Sequence, residues 1–177
     1  TRIQVEHGVT EAVTGRDLVR DQILLAAGSL ERTPQAAIRR EGAAIECRVY
    51  AENPLKNFLP SPGLLERFVL PSGIDGLRVD TGVRQGDSIS PFYDPMIAKI
   101  ITAASTRAEA LQRMDAALQS IDIAGIRHNK SFLQQVIRHP AFQAGTVDTN
   151  FVDREKQALL ANLSELAGDT VSPKATS

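Results

Sequence analysis

The chain has 177 residues, 42% of them hydrophobic and 23% charged, which fits one domain, or one domain with part of another, around a true core. Its 20 Lys and Arg against 21 Asp and Glu give a formal net charge of −1, and no basic run or zinc-finger spacing is present, which argues against nucleic acid as a partner. No apolar run approaches the roughly 20 residues that span a bilayer, the first residues lack the pattern of a signal peptide, and the single cysteine, Cys47, leaves no disulfide framework.

Residues 2 to 6 alternate between Arg2, Gln4 and Glu6 on one side and Ile3 and Val5 on the other. A period of two predicts a strand with the three polar side chains on one face. A guanidinium, an amide and a carboxylate in a row can hold a small oxyanion and remove its proton, although a solvated strand face is the simpler reading of the row alone. Thr14 is expected to cap a helix carrying Leu18, Val19, Ile23, Leu24 and Ala27, which Gly28 ends in a left-handed conformation. A loop with a short turn follows, and a domain boundary is placed near Glu41.

From there short strands are expected at about 43–50, 64–70, 76–81 and 95–103, set apart by turns rich in Gly and Pro, such as Phe58-Leu59-Pro60-Ser61-Pro62-Gly63. Strands following one another so closely favour antiparallel pairing. In the first, Glu46, Arg48 and Tyr50 share a face, while Cys47 lies among the apolar positions and reads as an inert buried thiol. Thr106-Arg107-Ala108-Glu109 is a capping box for a helix with Leu111, Met114 and Leu118 in one stripe. A short strand at 121–126, a helix from Lys130 stopped before Pro140, and a helix at 153–165 complete the elements. The small, polar stretch from Gly168 to Ser177 is expected to be disordered. His7, His128 and His139 have no metal-ligand spacing. His7 reads as a structural histidine, and His139 as a helix-end residue.

Five motifs taken in order resemble the biotin carboxylases, the ATP-grasp component of biotin-dependent carboxylases. They are Arg2-Ile3-Gln4-Val5-Glu6-His7 with Val9-Thr10-Glu11, Glu46-Cys47-Arg48-Val49-Tyr50-Ala51-Glu52, the 58–63 turn, Tyr93-Asp94-Pro95-Met96-Ile97-Ala98-Lys99, and Thr149-Asn150-Phe151. The resemblance covers about residues 1 to 152. It implies an α+β chain in which residues 1–40 end an ATP-grasp domain, 41–152 form the biotin carboxylase C-terminal domain, and 153–177 form a terminal helix with a disordered tail or linker.

The implied activity is that of an ATP-dependent ligase forming a C–N bond. ATP converts bicarbonate to carboxyphosphate, which decomposes to CO2 and phosphate, and a ureido nitrogen of biotin is carboxylated. By the same resemblance Arg2, Gln4 and the Val5 backbone bind bicarbonate, Glu6 is the general base held ionised by Arg2, and Arg48 stabilises the biotin enolate. Phe151 falls where the family packs an apolar side chain on adenine, an assignment that competes with a core role. ATP, Mg2+ (or Mn2+) and biotin on its carrier are the implied cofactors. The family's metal ligands match positions before Thr1, so this stretch by itself is expected to be inactive.

Implied partners are a biotin carboxyl carrier domain or protein, a carboxyltransferase subunit or domain, and a second copy in a homodimer. The implied compartment is the cytoplasm, or the mitochondrial matrix in a eukaryote. The family form has Pro at position 8, so Gly8 is expected to loosen the turn after the first strand. The alternatives are a non-catalytic dimerisation or interaction domain, and another ATP-grasp ligase such as a carbamoyl-phosphate synthase, which the 46–52 and 58–63 motifs disfavour.

Overall fold

The computed structural model describes residues 2–167. In chain order they form α1 (His7–Thr14), α2 (Leu18–Ala26), β1 (Ala43–Tyr50), β2 (Glu52–Asn53), β3 (Leu59–Pro60), β4 (Gly63–Leu64), β5 (Arg67–Val69), β6 (Leu77–Asp80), β7 (Ser88–Ile89) and β8 (Met96–Ala104). They continue with α3 (Arg107–Ser120), β9 (Asp122–Ala124), α4 (Lys130–Arg138), α5 (Pro140–Ala144) and α6 (Phe151–Ala167).

The centre is an antiparallel sheet in the order β1-β8-β6. β1 alternates as its sequence demands: Ile45, Cys47 and Val49 are buried on one face, while Glu46, Arg48 and Tyr50 share the other. β8 lies between two strands and is covered on both faces, so it reads as a nearly continuous apolar run. α3 closes the first face with Ala110, Leu111, Met114, Ala117 and Leu118, and α1 lies over the second. The Thr106 hydroxyl accepts from the Glu109 amide, as the capping box requires. A smaller core joins Phe132 of α4 to Leu159 and Leu163 of α6.

The expected strand at 64–70 divides into β4 and β5 because Leu65 and Glu66 bond elsewhere. The Leu65 amide donates to the Asp87 carbonyl at 2.9 Å, and the Glu66 amide donates to the carbonyls of Leu64 and Ala124. Gly125 permits that crossing, with φ +96° and the Leu64 carbonyl oxygen 2.0 Å from where a Cβ would stand. The same crossing shortens the strand expected at 121–126 to Asp122–Ala124. The ladder pairs β5–β9, β4–β7 and β2–β3 are antiparallel too, so the expected α+β architecture is what the chain adopts.

Three local expectations are corrected. Residues 2–6 are not a strand: among the described residues no strand pairs with them, and the Gln4 carbonyl instead receives the His7 amide at 3.1 Å, turning the chain into α1. Thr14 caps no helix start, because α1 runs to it and ends at Gly15 in a left-handed conformation. The cap of α2 is Asp17, whose carboxylate accepts from the Arg20 amide. Gly8 loosens no turn, since it lies inside α1, buried, and a Cβ there would stand 2.3 Å from Ile101 Cδ1. α1 packs closely over Ile101 of β8 at this point. α5 had no forecast, and the expected disorder of 168–177 falls outside the described residues.

Candidate active site

The polar face of β1 meets the segment that leads into α1. Arg48 Nη2 donates to Glu6 Oε2 at 2.8 Å, and Arg48 Nε donates to Glu46 Oε1 at 3.2 Å. The side chains of Arg48 and Glu6 are 36% and 54% exposed, whereas that of Glu46 is 6% exposed. The guanidinium therefore sits between a fixed carboxylate beneath it and an accessible one above it. Burial works against its charge, but Glu46 and then the Tyr50 phenol outweigh that and hold its pKa above the ordinary value.

Arg2, Gln4 and Glu6 line one groove of about 360 Å³, together with Ile3, His7 and Thr10. The structure thus gathers the polar row at one cavity without a strand to carry it. Glu6 pairs with Arg48 and not with Arg2, whose Nη1 donates to the Ile3 carbonyl. The expectation that Arg2 is the charge beside Glu6 is corrected accordingly, and Arg48 takes that place because β1 approaches the start of α1. His7 Nδ1 lies 2.8 Å from the Gln4 carbonyl and so secures the turn, a structural task. His139 ends α4, and its Nδ1 accepts from the Ala141 amide at the start of α5.

Two supports went unseen in the sequence. Lys99, 8% exposed, donates from Nζ to the Val5 carbonyl at 2.9 Å and lies 3.2 Å from Asp80. Asp80 pairs with Arg78, and Arg78 with Glu11 at 2.6 Å, while Glu11 also accepts from the Leu18 amide. Two cations and two anions so alternate from β8 through β6 to α1, and they fix the backbone of Val5 just before Glu6. Burial opposes charge on Glu11 and on Asp80, yet the bonds from Arg78 prevail and hold both carboxyls below their ordinary values.

The second support is Asn129, 4% exposed. Its Oδ1 accepts from the Tyr50 amide at 2.9 Å, and its Nδ2 donates to the Arg48 carbonyl at 3.1 Å and to Glu52 Oε1 at 3.0 Å. The Asn129 amide donates to the Tyr50 carbonyl. The β1–β8 register slips between Val49 and Tyr50, and Asn129 satisfies the backbone groups freed there. The one available signal was Asn129 itself, an amide just before an amphipathic helix, which could equally be a cap.

Phe151 is 3% exposed, with its ring 5.0 Å from His139 and 6.3 Å from Phe142. Its faces are taken up by core packing, so the adenine contact suggested by its position is not carried further. Among the described residues no group of three or more His, Cys, Asp or Glu side chains could hold a metal ion. No chemical step is therefore routed through a metal held by these residues alone.

Two segments of the chain match known protein families. Residues 46–154 match the biotin carboxylase C-terminal domain, and residues 1–32 match the carbamoyl-phosphate synthase L chain ATP-binding domain. A biotin carboxylase of Halalkalibacterium halodurans is 51% identical over 152 residues, covering 86% of this chain and 33% of that protein. The mitochondrial propionyl-CoA carboxylase alpha chain of Homo sapiens is 50% identical over 153 residues, covering 86% and 21%. The mitochondrial methylcrotonoyl-CoA carboxylase subunit alpha of Mus musculus is 44% identical over 171 residues, covering 97% and 24%.

Among solved structures, the biotin carboxylase subunit of a pyruvate carboxylase superposes with a TM-score of 0.86 at 42% identity, covering 90% of this chain and 35% of that one. The biotin carboxylase domain dimer of Hydrogenobacter thermophilus 2-oxoglutarate carboxylase, in complex with MgADP, ADP and bicarbonate, superposes with a TM-score of 0.85 at 40% identity, covering 90% and 35%. The chain spans a third or less of the length of these curated relatives. On its sequence, its fold and the match over 46–154, the chain belongs to the biotin carboxylase family.

Proposed function

We propose that this chain serves, within a longer protein, the carboxylation of biotin by ATP and bicarbonate. The observation that carries the reading is the 2.8 Å contact between Glu6 and Arg48, residues 42 positions apart that the fold brings together beside the groove lined by Arg2 and Gln4. Bicarbonate is held by the Arg2 guanidinium, the Gln4 amide and the Val5 backbone. A planar cation with several N–H donors suits such an anion. Glu6 takes the bicarbonate proton, and the freed oxygen attacks the terminal phosphoryl group of ATP, releasing ADP and forming carboxyphosphate. Carboxyphosphate breaks into CO2 and phosphate. The released phosphate takes the ureido N–H proton of biotin, Arg48 faces the negative charge that gathers on the ureido oxygen, and the nitrogen takes up CO2.

The same reading assigns residues 1–40 to the end of an ATP-grasp domain, 41–152 to the C-terminal domain, and 153–177 to a terminal helix with a tail or linker. MgATP is the proposed cosubstrate of the longer protein, and a carrier bearing biotin, a carboxyltransferase and a second copy are its proposed partners. The proposed compartment is the cytoplasm or the mitochondrial matrix. Among the described residues no helix is long and apolar enough to cross a membrane, and relatives named as mitochondrial support the second alternative.

The test is ATP cleavage by the full-length protein, measured with and without bicarbonate and biotin. Cleavage that requires both supports the reading, and cleavage that ignores both ends it. Replacing Arg48 by Ala should lower biotin carboxylation by roughly 10²–10³-fold, the usual cost of losing a donor to a developing oxyanion. A folded Arg48→Ala protein with undiminished carboxylation would remove Arg48 from the mechanism.

A further inference from the structure

We propose that Glu46 is a positioning residue for Arg48, fixing the guanidinium so that its outer edge is presented to Glu6, which lines the groove. The inference rests on the functional reading above and adds a residue to it. Glu46 precedes Arg48 by two positions on the same face of β1, and its carboxylate is 94% buried beneath α1, so its own position is set by packing. Only one of its oxygens is used: Oε1 accepts from Arg48 Nε at 3.2 Å, while Oε2 is buried with no hydrogen-bond partner among the described residues. A buried carboxylate with one oxygen unpaired is costly, so packing against α1 does not by itself call for one at this position. The group's use therefore lies in what it does to its neighbour.

Arg48 has reason to need such a hold. Directly opposite it on β8 stands Lys99, a like charge, which by itself would drive the guanidinium away from the sheet. Its other carboxylate partner, Glu6, is more than half exposed and lies on the segment that must engage bicarbonate. Without Glu46 the guanidinium would be held only by the Tyr50 phenol whenever Glu6 turned to substrate. With Nε fixed from below by Glu46, Nη2 can pass from Glu6 to an incoming oxygen while the plane of the guanidinium is kept.

The experiment uses the full-length carboxylase and two variants, Glu46→Gln and Glu46→Leu. Gln keeps an oxygen to accept from Nε, whereas Leu keeps the volume and removes the acceptor. A positioning role predicts that Glu46→Leu, assayed at a temperature where it and wild type are both folded, loses at least tenfold in kcat for biotin carboxylation. Glu46→Gln should stay within about threefold of wild type. Equal rates in all three proteins, or a rate loss in both variants that follows a lowered melting temperature, would overturn the proposal.

Should Glu46→Leu fail to fold, Arg48 Nε–H in selectively 15N-labelled wild-type protein, assigned by its loss in Arg48→Lys, gives a separate reading. It should exchange with water at least tenfold more slowly than the Nε–H of the exposed Arg84, and equal exchange would refute the hold by Glu46. A wild-type protein without ATP cleavage dependent on bicarbonate and biotin would instead end the functional reading, and the exchange measurement would still decide whether Glu46 fixes Arg48.

Discussion

Arg48 and Lys99 are direct cross-strand partners on β1 and β8, two cations side by side on the face that α1 covers, and each is turned to its own oxygens. Like charges so placed repel, and here the pair separates their work: Arg48 reaches Glu46 and Glu6, while Lys99 reaches Asp80 and the Val5 carbonyl. Lys99→Met tests how these effects balance. The variant relieves the repulsion but strips a charged donor from Val5, which is worth about 1.5–3 kcal/mol, and Asp80 keeps Arg78 as a partner. The donor's loss should win, lowering unfolding stability by about 1–3 kcal/mol. A urea midpoint at or above that of wild type, with the same m value, would show that the repulsion dominates.

Asn129 offers a sharper substitution, because Asp has nearly its shape. Asn129→Asp keeps an acceptor for the Tyr50 amide but loses the donor to the Arg48 carbonyl and to Glu52. It also sets a second carboxylate against Glu52, whose pKa is already raised by burial. Two carboxylates that cannot both ionise comfortably make the folded protein bind protons more tightly than the unfolded chain. The variant should therefore be about 2–4 kcal/mol less stable than wild type at neutral pH and recover part of that as the pH falls toward 5. A deficit that is constant with pH would mean that the carboxylates do not interact.

Acid should loosen the attachment of α1 to the sheet. Glu11 and Asp80 have folded pKa values below their unfolded ones: burial raises each, and the bonds from Arg78 more than reverse it. A depressed carboxyl contributes stability that is fully present above its unfolded pKa, about 4, and is lost as the pH drops through the lower folded value. The urea midpoint should thus fall below about pH 4. Glu11→Gln should be less stable at pH 7 and show a shallower acid limb. The acid limb of the variant matching that of wild type would place the titration elsewhere.

What could be read from the sequence follows the distance over which each feature is determined. The β1 faces, the α3 cap at Thr106 and the stripe Leu111, Met114 and Leu118 depend on neighbours within a few residues, and they form as the pattern requires. The segment 2–6 has the alternation of a strand, yet its conformation is decided by Lys99, 94 residues away, and by the His7 amide turning back on Gln4. Four of the eight residues of α1 are β-branched and one is Gly8, so it has little helix propensity. It is held in place where Gly8 rests on Ile101 and Glu11 reaches Arg78. Arg48 could be named from its motif, whereas its clamp by Asn129 spans about 80 residues and no local spacing announces it.

Cys47 gives a direct probe of the face opposite Arg48. It is fully enclosed between β1 and α3, where burial, with a further contribution from Glu46, pushes its thiol up to about 12. Only the thiolate attacks a disulfide reagent, and at pH 8 a thiol of that pKa is ionised in about one molecule in ten thousand. An ordinary thiol near 8.5 is ionised in roughly a quarter. Labelling by an aromatic disulfide reagent at pH 8 should therefore wait for unfolding, with a rate that rises with urea in parallel with the global transition and is unaffected by substitutions at Glu6. Labelling within seconds in native buffer would mean that β1 opens from α3 without global unfolding. The strand that carries Arg48 and Glu46 would then be mobile in the native protein, and the hold of Glu46 on Arg48 would be lost with it.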